Sequence, residues 1–186
     1  EHRLDLATAI SAQASRDYLL SHQWIPVHIE AAYRSLTDHL LVDVAAAFAR
    51  AGRWQSIRLH GDFHPGNILW TDAGPHLVDL DDCMTGPAVQ DLCMMHSGDR
   101  AERTVQLGDI LAGYEQFYDF DPRELNLIEA LRTLRMMHHA AWLARRWDDP
   151  AFPAAFTWFN TDRYWEDHVL ALREQAAAMQ EPPLPV

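Results

Sequence analysis

The chain of 186 residues contains no lysine, so all 15 of its basic residues are arginines. They are outnumbered by 27 acidic residues, which gives a net charge of −12. Proteins that bind nucleic acid neutralise many phosphates with Lys and Arg, and this sequence has no basic block and no basic helix face. The composition therefore argues against a nucleic-acid partner and against an anionic membrane surface.

Cysteine is also scarce, because Cys83 and Cys93 are the only two and they do not form a CxxC pair. This excludes a disulfide framework and favours a reducing, cytoplasmic location. No apolar run approaches 18 residues, and the first residues lack the basic-then-apolar pattern of a secretion signal. The 8 glycines and 10 prolines are too few for a low-complexity chain. We therefore expect one folded domain. We also expect a monomer, although these counts do not fix the oligomeric state.

The pattern of apolar residues predicts a mostly helical chain with one short β-rich segment. Apolar spacings of three and four, together with capping residues, predict helices over 4–20, 26–52, 99–117, 122–147 and 161–179. Alternating residues and an Asp-Ala-Gly-Pro turn predict strands over 56–60, 68–70 and 76–80. The predicted fold class is therefore α+β, with helices on both sides of a small β-rich segment.

Residues with catalytic potential concentrate in that β-rich segment. A His-x-Asp-x4-Asn loop begins at His60, and Asp79 follows the next apolar stretch. In phosphotransferases, this layout places Asp62 at the acceptor hydroxyl and supplies Asn67 and Asp79 as oxygen ligands for a metal between the phosphates. We therefore predict Asp62 and Asp79 as catalytic residues, and Asn67 and Asp79 as ligands of Mg²⁺ and of the ATP that it accompanies.

The acidic residues that follow this stretch admit other interpretations. Asp81 and Asp82 could bind a second ion or water, or simply cap the following turn. The Asp79-x-Asp81 spacing also occurs in phosphatases with an aspartyl nucleophile, although these usually carry Thr or Val where Cys83 stands. A calcium-binding EF-hand would need glycine in place of Met84. Phosphoryl transfer is therefore the favoured interpretation.

Several blocks of sequence resemble the aminoglycoside-phosphotransferase and choline-kinase-like branch of the protein-kinase superfamily, and within it the bacterial stress-response kinases. The blocks are His60–Trp70, Val78–Asp82, Gly86–Leu92, Ala141–Trp147 and Asp149–Pro153. The resemblance implies a kinase-like C-terminal lobe that uses ATP and Mg²⁺ to phosphorylate Ser or Thr hydroxyls of a protein. It also implies that His60 and Asp91 support the catalytic loop. A small hydroxyl substrate of the aminoglycoside, choline or homoserine type, or a non-catalytic binding lobe, remains an alternative.

The sequence departs from the wider kinase pattern in two respects. Gly61 occupies the position where eukaryotic-type kinases carry an arginine that pairs with a phosphorylated activation loop. In addition, only eleven residues separate Asp79 from Asp91, which is too few for a long activation segment. Control by activation-loop phosphorylation is therefore not expected.

A further departure concerns the parts of a kinase that hold ATP from above. The 8 glycines never form a GxGxxG loop, and no lysine is available to contact the phosphates. The resemblance places both parts in an N-terminal lobe, so we expect residues 1–186 to be a C-terminal lobe that is inactive alone. Its expected parts are a helical segment 1–55, the catalytic segment 56–92 and a helical subdomain 93–186.

Overall fold

The computed structural model describes the backbone of residues 6–186 and the side chains from residue 12 onward. The start of the first predicted helix, at residue 4, lies outside this range. The described α-helices are α1 (Leu6–Ser21), α2 (Val27–Ala51), α3 (Val89–Leu92), α4 (Arg100–Tyr114), α5 (Ile128–Arg145), α6 (Ala151–Ala155) and α7 (Asp162–Ala178). The described strands are β1 (Ile57–Leu59), β2 (Ile68–Thr71), β3 (Gly74–Leu77) and β4 (Met84–Gly86). The predicted α+β class, mostly helical, is confirmed.

The chain divides into two compact units. The first unit comprises the residues up to Ala49 together with Glu129–Glu181. The second unit comprises Arg50–Ile128 and Pro182–Val186, and it contains every strand of the described chain together with the predicted catalytic segment. In the part of the chain that the structure describes, no helix is both long enough and apolar enough to cross a membrane.

Capping residues fix where the helices begin. Asp99 accepts a hydrogen bond from the Glu102 backbone N–H at 2.9 Å, and the Glu102 carboxylate accepts one from the Asp99 N–H at 2.9 Å. This reciprocal pair satisfies N–H groups that the first turn of α4 leaves without helical partners. Thr161 accepts from the Tyr164 N–H at the start of α7. Both predicted helix starts are confirmed.

The predicted helix over 122–147 is wrong in its first part. Pro122–Leu127 forms a 3₁₀ helix, and the α-helix α5 begins only at Ile128. Asp121 does cap the start of the 3₁₀ helix, where it accepts from the Arg123 N–H at 3.0 Å. Tighter 3₁₀ winding is common at helix N-termini. Here it accompanies the burial of Glu124, whose side chain bonds to another part of the chain.

The strands form two separate antiparallel pairs. β1 pairs with β4, with Ile57 opposite Gly86. β2 pairs with β3, with Ile68 opposite Leu77 and Thr71 opposite Gly74. The predicted strand over 76–80 is therefore shifted, because the hairpin turn is tighter than the sequence indicates and pairing already begins at Gly74. The strand β4 was not predicted.

A buried aromatic cluster lies in the first unit. The Tyr33 ring and the Trp165 side chain are almost fully buried. The His168 ring stacks on Tyr164 with ring centroids 5.8 Å apart, and its centroid lies 6.1 Å from that of Tyr33. The Tyr33 hydroxyl and the His168 Nε2 are both buried without a hydrogen-bond partner. A charge on His168 would therefore be poorly compensated.

We expect this cluster to make the first unit sensitive to acid. Burial lowers the pKa of His168 from 6.5 to about 4, with a smaller contribution from the charge of His139. Because His168 then binds a proton more readily in the unfolded chain than in the folded one, its contribution to the free energy of unfolding is fully present above pH 6.5. This contribution declines as the pH falls towards 4. The loss should reach about 3 kcal/mol.

Urea unfolding followed by tryptophan fluorescence between pH 4 and 7 measures this effect. His168→Phe keeps an aromatic ring in the stack and removes the titrating group, so its unfolding free energy should depend less on pH than that of the unchanged chain. His39→Gln, at an exposed position of α2, is the matched control and should retain the full pH dependence. Equal pH dependence in His168→Phe and the unchanged chain would contradict the assignment.

Candidate active site

The turn that follows β1 is held by a carboxylate from a distant helix. Asp91, on α3, accepts a hydrogen bond from the His60 backbone N–H at 2.7 Å and another from the Gly61 N–H at 3.0 Å. Each carboxylate oxygen takes one amide, so the carboxylate fixes the orientation of two consecutive peptide groups. Asp91 thus makes the type of contact that the sequence resemblance implied for it.

The His60 side chain ties the same turn to the segment that carries Asp79. Its Nε2 lies 2.9 Å from the Val78 carbonyl oxygen, which can only accept, so Nε2 carries the proton. The other ring nitrogen, Nδ1, is then an acceptor for the Asp62 backbone N–H at 3.4 Å. One imidazole therefore links the residue before Asp79 with the backbone of Asp62.

Gly61 allows a close backbone approach at this turn. Its φ of +88° lies in the left-handed region, which residues with a Cβ atom rarely adopt. A Cβ atom built there would overlap the carbonyl oxygen of Asp82 and lie 2.8 Å from its carbonyl carbon. The glycine thus lets the peptide of Asp82 pack directly against the turn.

The Asp62 carboxylate is oriented by two neighbouring side chains. The Asn67 Nδ2 donates to the Asp62 carbonyl oxygen at 2.9 Å and lies 3.3 Å from Asp62 Oδ2. The His64 Nδ1 accepts from the Gly66 N–H at 3.0 Å, which leaves the proton on Nε2, and this nitrogen lies 3.3 Å from the same Oδ2. Both donors converge on one oxygen of Asp62, and the side chain remains partly accessible to solvent.

The strand pairing brings Asp79 close to Asn67 along the backbone. The Val78 N–H donates to the Asn67 carbonyl oxygen at 3.1 Å, which extends the β2–β3 ladder by one hydrogen bond beyond its last strand pair. Asp79 follows immediately with a φ of +63°, an uncommon conformation for a residue other than glycine. The Asp79 side chain is exposed. Residues other than glycine that are held in this left-handed region cluster at functional sites.

The oxygen atoms of Asn67 and Asp79 suit a hard cation. Because Asn67 donates through Nδ2, its Oδ1 is left to act as an acceptor, and Asn67 is 8% exposed. No donor to the Asp79 carboxylate is found among the described residues. Among the described side chains, no three of His, Cys, Asp and Glu gather into a metal site. Two oxygen ligands fit Mg²⁺, which is commonly held by one or two carboxylates plus phosphate oxygens.

The neighbouring residues Asp81, Asp82 and Cys83 are exposed at this position. The Cys83 N–H bonds to the Leu80 carbonyl oxygen and closes a turn over them. In this segment, the backbone carbonyl of Asp82 lies directly against Gly61. The two carboxylates thus stand beside the candidate site, and their role stays open.

A residue that the sequence did not single out supports α3. Glu124 is 3% exposed, and its Oε2 accepts from the Val89 N–H at 3.0 Å. Burial raises the pKa of Glu124, hydrogen bonds from the Val89 and Ala88 backbone oppose the rise, and the charge of Asp121 adds to it. In the sequence, Glu124 resembles any acidic residue in the first turn of a helix, and no local signal marks its partner 35 residues away.

This chain belongs to the phosphotransferase enzyme family, whose model matches residues 2–128 and therefore includes the whole candidate site. It is 49% identical to Stress response kinase A of Escherichia coli K12 over 160 residues, which are 86% of this chain and 48% of the relative. It is 47% identical to Stress response kinase A of Shigella flexneri and 46% identical to the Serine/threonine protein kinase RdoA of Salmonella typhimurium, with the same coverage. The chain thus spans about half the length of these curated relatives.

Membership of this family confirms the resemblance to stress-response kinases and the kinase-like C-terminal fold expected from the sequence. The matched range includes a segment in which the backbone of His60, Gly61 and Val78 is fixed by side chains of the same segment or of α3. The family and the fold are therefore established, whereas the acceptor and the roles of individual residues are matters for proposal.

Proposed function

We propose that the protein containing this chain transfers the γ-phosphoryl group of MgATP to a hydroxyl group, with Ser or Thr side chains of a protein as acceptors. The observation that carries the proposal is the orientation of Asp62 by Asn67 and His64. The backbone of Asn67 is in turn hydrogen-bonded to Val78, the residue before Asp79. The names of the relatives support the choice of a protein acceptor. We further propose that residues 1–186 form the C-terminal lobe of a monomeric, cytoplasmic kinase.

In the proposed reaction, the acceptor oxygen attacks the γ-phosphorus while the bond from that phosphorus to the β,γ-bridging oxygen breaks. The acceptor proton passes to the Asp62 carboxylate, and ADP leaves. Asn67 Nδ2 and His64 Nε2 each lie 3.3 Å from Asp62 Oδ2 and so hold the carboxylate that would take this proton in place. Asn67 and Asp79 would hold Mg²⁺, which supplies positive charge opposite the β- and γ-phosphates when it is bound.

We expect the 186-residue chain alone to transfer no phosphate, because it lacks lysine and a glycine-rich loop to hold the ATP phosphates. Purified chain and full-length protein should be compared for ADP release and for phosphate transfer to an acceptor. Turnover by the isolated chain that disappears in its Asp62→Asn variant would contradict this expectation, because a contaminating kinase would not respond to the substitution.

The metal roles can be tested in the full-length protein by titrating Mg²⁺. Asp79→Ala should weaken the binding of MgATP by at least about tenfold, and excess Mg²⁺ should partly restore activity, because the substitution removes an anionic metal ligand. Asn67→Ala should show the same rescue with a smaller loss, since an amide contributes no net charge. Asp62→Asn should not be rescued.

Asp72→Ala is the control for the loss of one acidic side chain, because Asp72 is exposed in the turn between β2 and β3. It should leave the Mg²⁺ dependence unchanged. If Mg²⁺ rescued Asp62→Asn and left Asp79→Ala unchanged, the assignment of proton and metal roles would be reversed.

The acceptor class requires a separate experiment. Labelled ATP should be offered to the full-length protein with a panel of Ser/Thr-containing proteins and, in parallel, with aminoglycosides, choline and homoserine. Label in protein that is absent from the Asp62→Asn variant supports the proposal. Label only in the small hydroxyl compounds would replace it with the small-molecule alternative, which the exposed Asp79, Asp81 and Asp82 beside the site would suit for a cationic substrate.

A further inference from the structure

Two carboxylates, one after the other, support the turn His60–Asp62 that follows β1, which we call the catalytic turn. Glu124 bonds the backbone at the start of α3, and Asp91 near the end of α3 bonds the backbone of His60 and Gly61. Asp62 is the next residue. The path from Glu124 to Asp62 therefore consists of hydrogen bonds at both ends of one short helix.

The helix α3 depends on such outside support. It is four residues long, far below the length at which an isolated helix is stable in water. Its first residue follows Ala88, which has no side chain able to cap the helix. Glu124 supplies the missing acceptor from another element, because its Oε2 accepts from the Val89 N–H at 3.0 Å.

The surroundings of Glu124 make its charge costly. It is almost fully buried, and the titratable groups that act on it or respond to it are Asp121 on its own segment and Tyr114 on α4. Neither carries positive charge, so the backbone N–H groups of α3 are what stabilises the ionised carboxylate. Because backbone N–H groups of α3 stabilise the charge, the ionisation of Glu124 and the position of α3 depend on each other.

We propose that Glu124 is a positioning residue for the catalytic turn, which it holds through α3 and Asp91. In its ionised form it fixes the N-terminus of α3, so that Asp91 keeps the His60 and Gly61 peptides in the orientation that presents Asp62. The consequence for catalysis rests on the function proposed above, whereas the order of the turn can be measured without any activity.

The informative substitution is Glu124→Gln, which keeps the size of the side chain. It removes the negative charge, so that the N-terminus of α3 meets a neutral carboxamide in place of a carboxylate. Glu115→Gln is the matched control, because Glu115 lies in the same unit, is exposed at the end of α4, and loses the same charge.

Amide hydrogen exchange by NMR provides the first readout on the 186-residue chain. Glu124→Gln should lower the protection factors of the His60 and Gly61 amides by about tenfold or more, and Glu115→Gln should not change them. In the unchanged chain, the protection of these two amides should fall as the pH drops through the raised pKa of Glu124. In Glu124→Gln that step should be absent. Amides of the β2–β3 pair serve as internal references.

Kinetics of the full-length protein provide the second readout. We expect Glu124→Gln to lower kcat by about tenfold with the KM for MgATP nearly unchanged, because misplacement of Asp62 affects the chemical step more than nucleotide binding. Glu124→Asp keeps the charge but reaches less far, and it should recover part of the loss.

Unchanged protection at His60 and Gly61 in Glu124→Gln would overturn the proposal, even if Val89 lost protection. A uniform fall that includes the β2–β3 amides would overturn it as well, since Glu124 would then serve general stability. If the exchange pattern were as expected but the full-length protein without substitutions transferred no phosphate, the positioning role would stand and the proposed function would be refuted.

Discussion

Asp62→Asn in the full-length protein is expected to lower kcat by about three orders of magnitude while leaving the binding of MgATP nearly unchanged. The structure explains why the substitution should not disturb the fold. Both donors to Asp62, the Asn67 Nδ2 and the His64 Nε2, lie 3.3 Å from one oxygen, Oδ2. An asparagine can place its carbonyl oxygen there. It keeps these two contacts but has no carboxylate to take the proton of the acceptor hydroxyl.

Steady-state kinetics and a direct measurement of nucleotide affinity together test this expectation. Asp72→Asn, at the exposed hairpin turn, serves as the control and should retain full activity. An Asp62→Asn protein that kept more than a tenth of the activity would have lost less than about 1.4 kcal/mol of transition-state stabilisation. That result would exclude Asp62 as the proton acceptor.

Much of the candidate site could be predicted because its chemistry is local in the sequence. Asp62 and Asn67 are five residues apart, and the loop between them is shaped by Pro65, Gly66 and backbone hydrogen bonds within the loop. Asp79 follows an apolar stretch in the same segment. Residue type and spacing therefore point to these positions without knowledge of the tertiary structure, and their roles remain predictions.

Apart from His60 and Asp91, for which the family resemblance implied a supporting role, what supports the site could not be predicted, because it depends on contacts between distant residues. Glu124 bonds Val89 across 35 residues, and β4 exists only as the partner of β1. Met84–Gly86 carries no alternating apolar pattern of its own, so pairing creates this strand where propensity does not. In the same way, α3 is too short for its periodicity to be read from the sequence.

Gly61→Ala is expected to abolish most of the activity of the full-length protein and to destabilise the second unit. A methyl group there would overlap the carbonyl oxygen of Asp82, and the Gly61 backbone cannot yield easily, because Asp91 holds its amide at 3.0 Å. A φ of +88° adds about 1–2 kcal/mol for any L side chain. Relief of the overlap would move either the turn that carries Asp62 or the segment that follows Asp79.

Gly74→Ala separates these two effects. Gly74 also has a positive φ, +111°, but a Cβ atom there would meet nothing within 4 Å. Gly74→Ala should therefore show the conformational cost of about 1–2 kcal/mol in urea unfolding and keep its activity. Gly61→Ala should exceed that loss of stability and also lose protection from exchange at the His60 amide. If the two variants lost the same stability and both remained active, the close packing of Asp82 against the turn would have no part in forming the site.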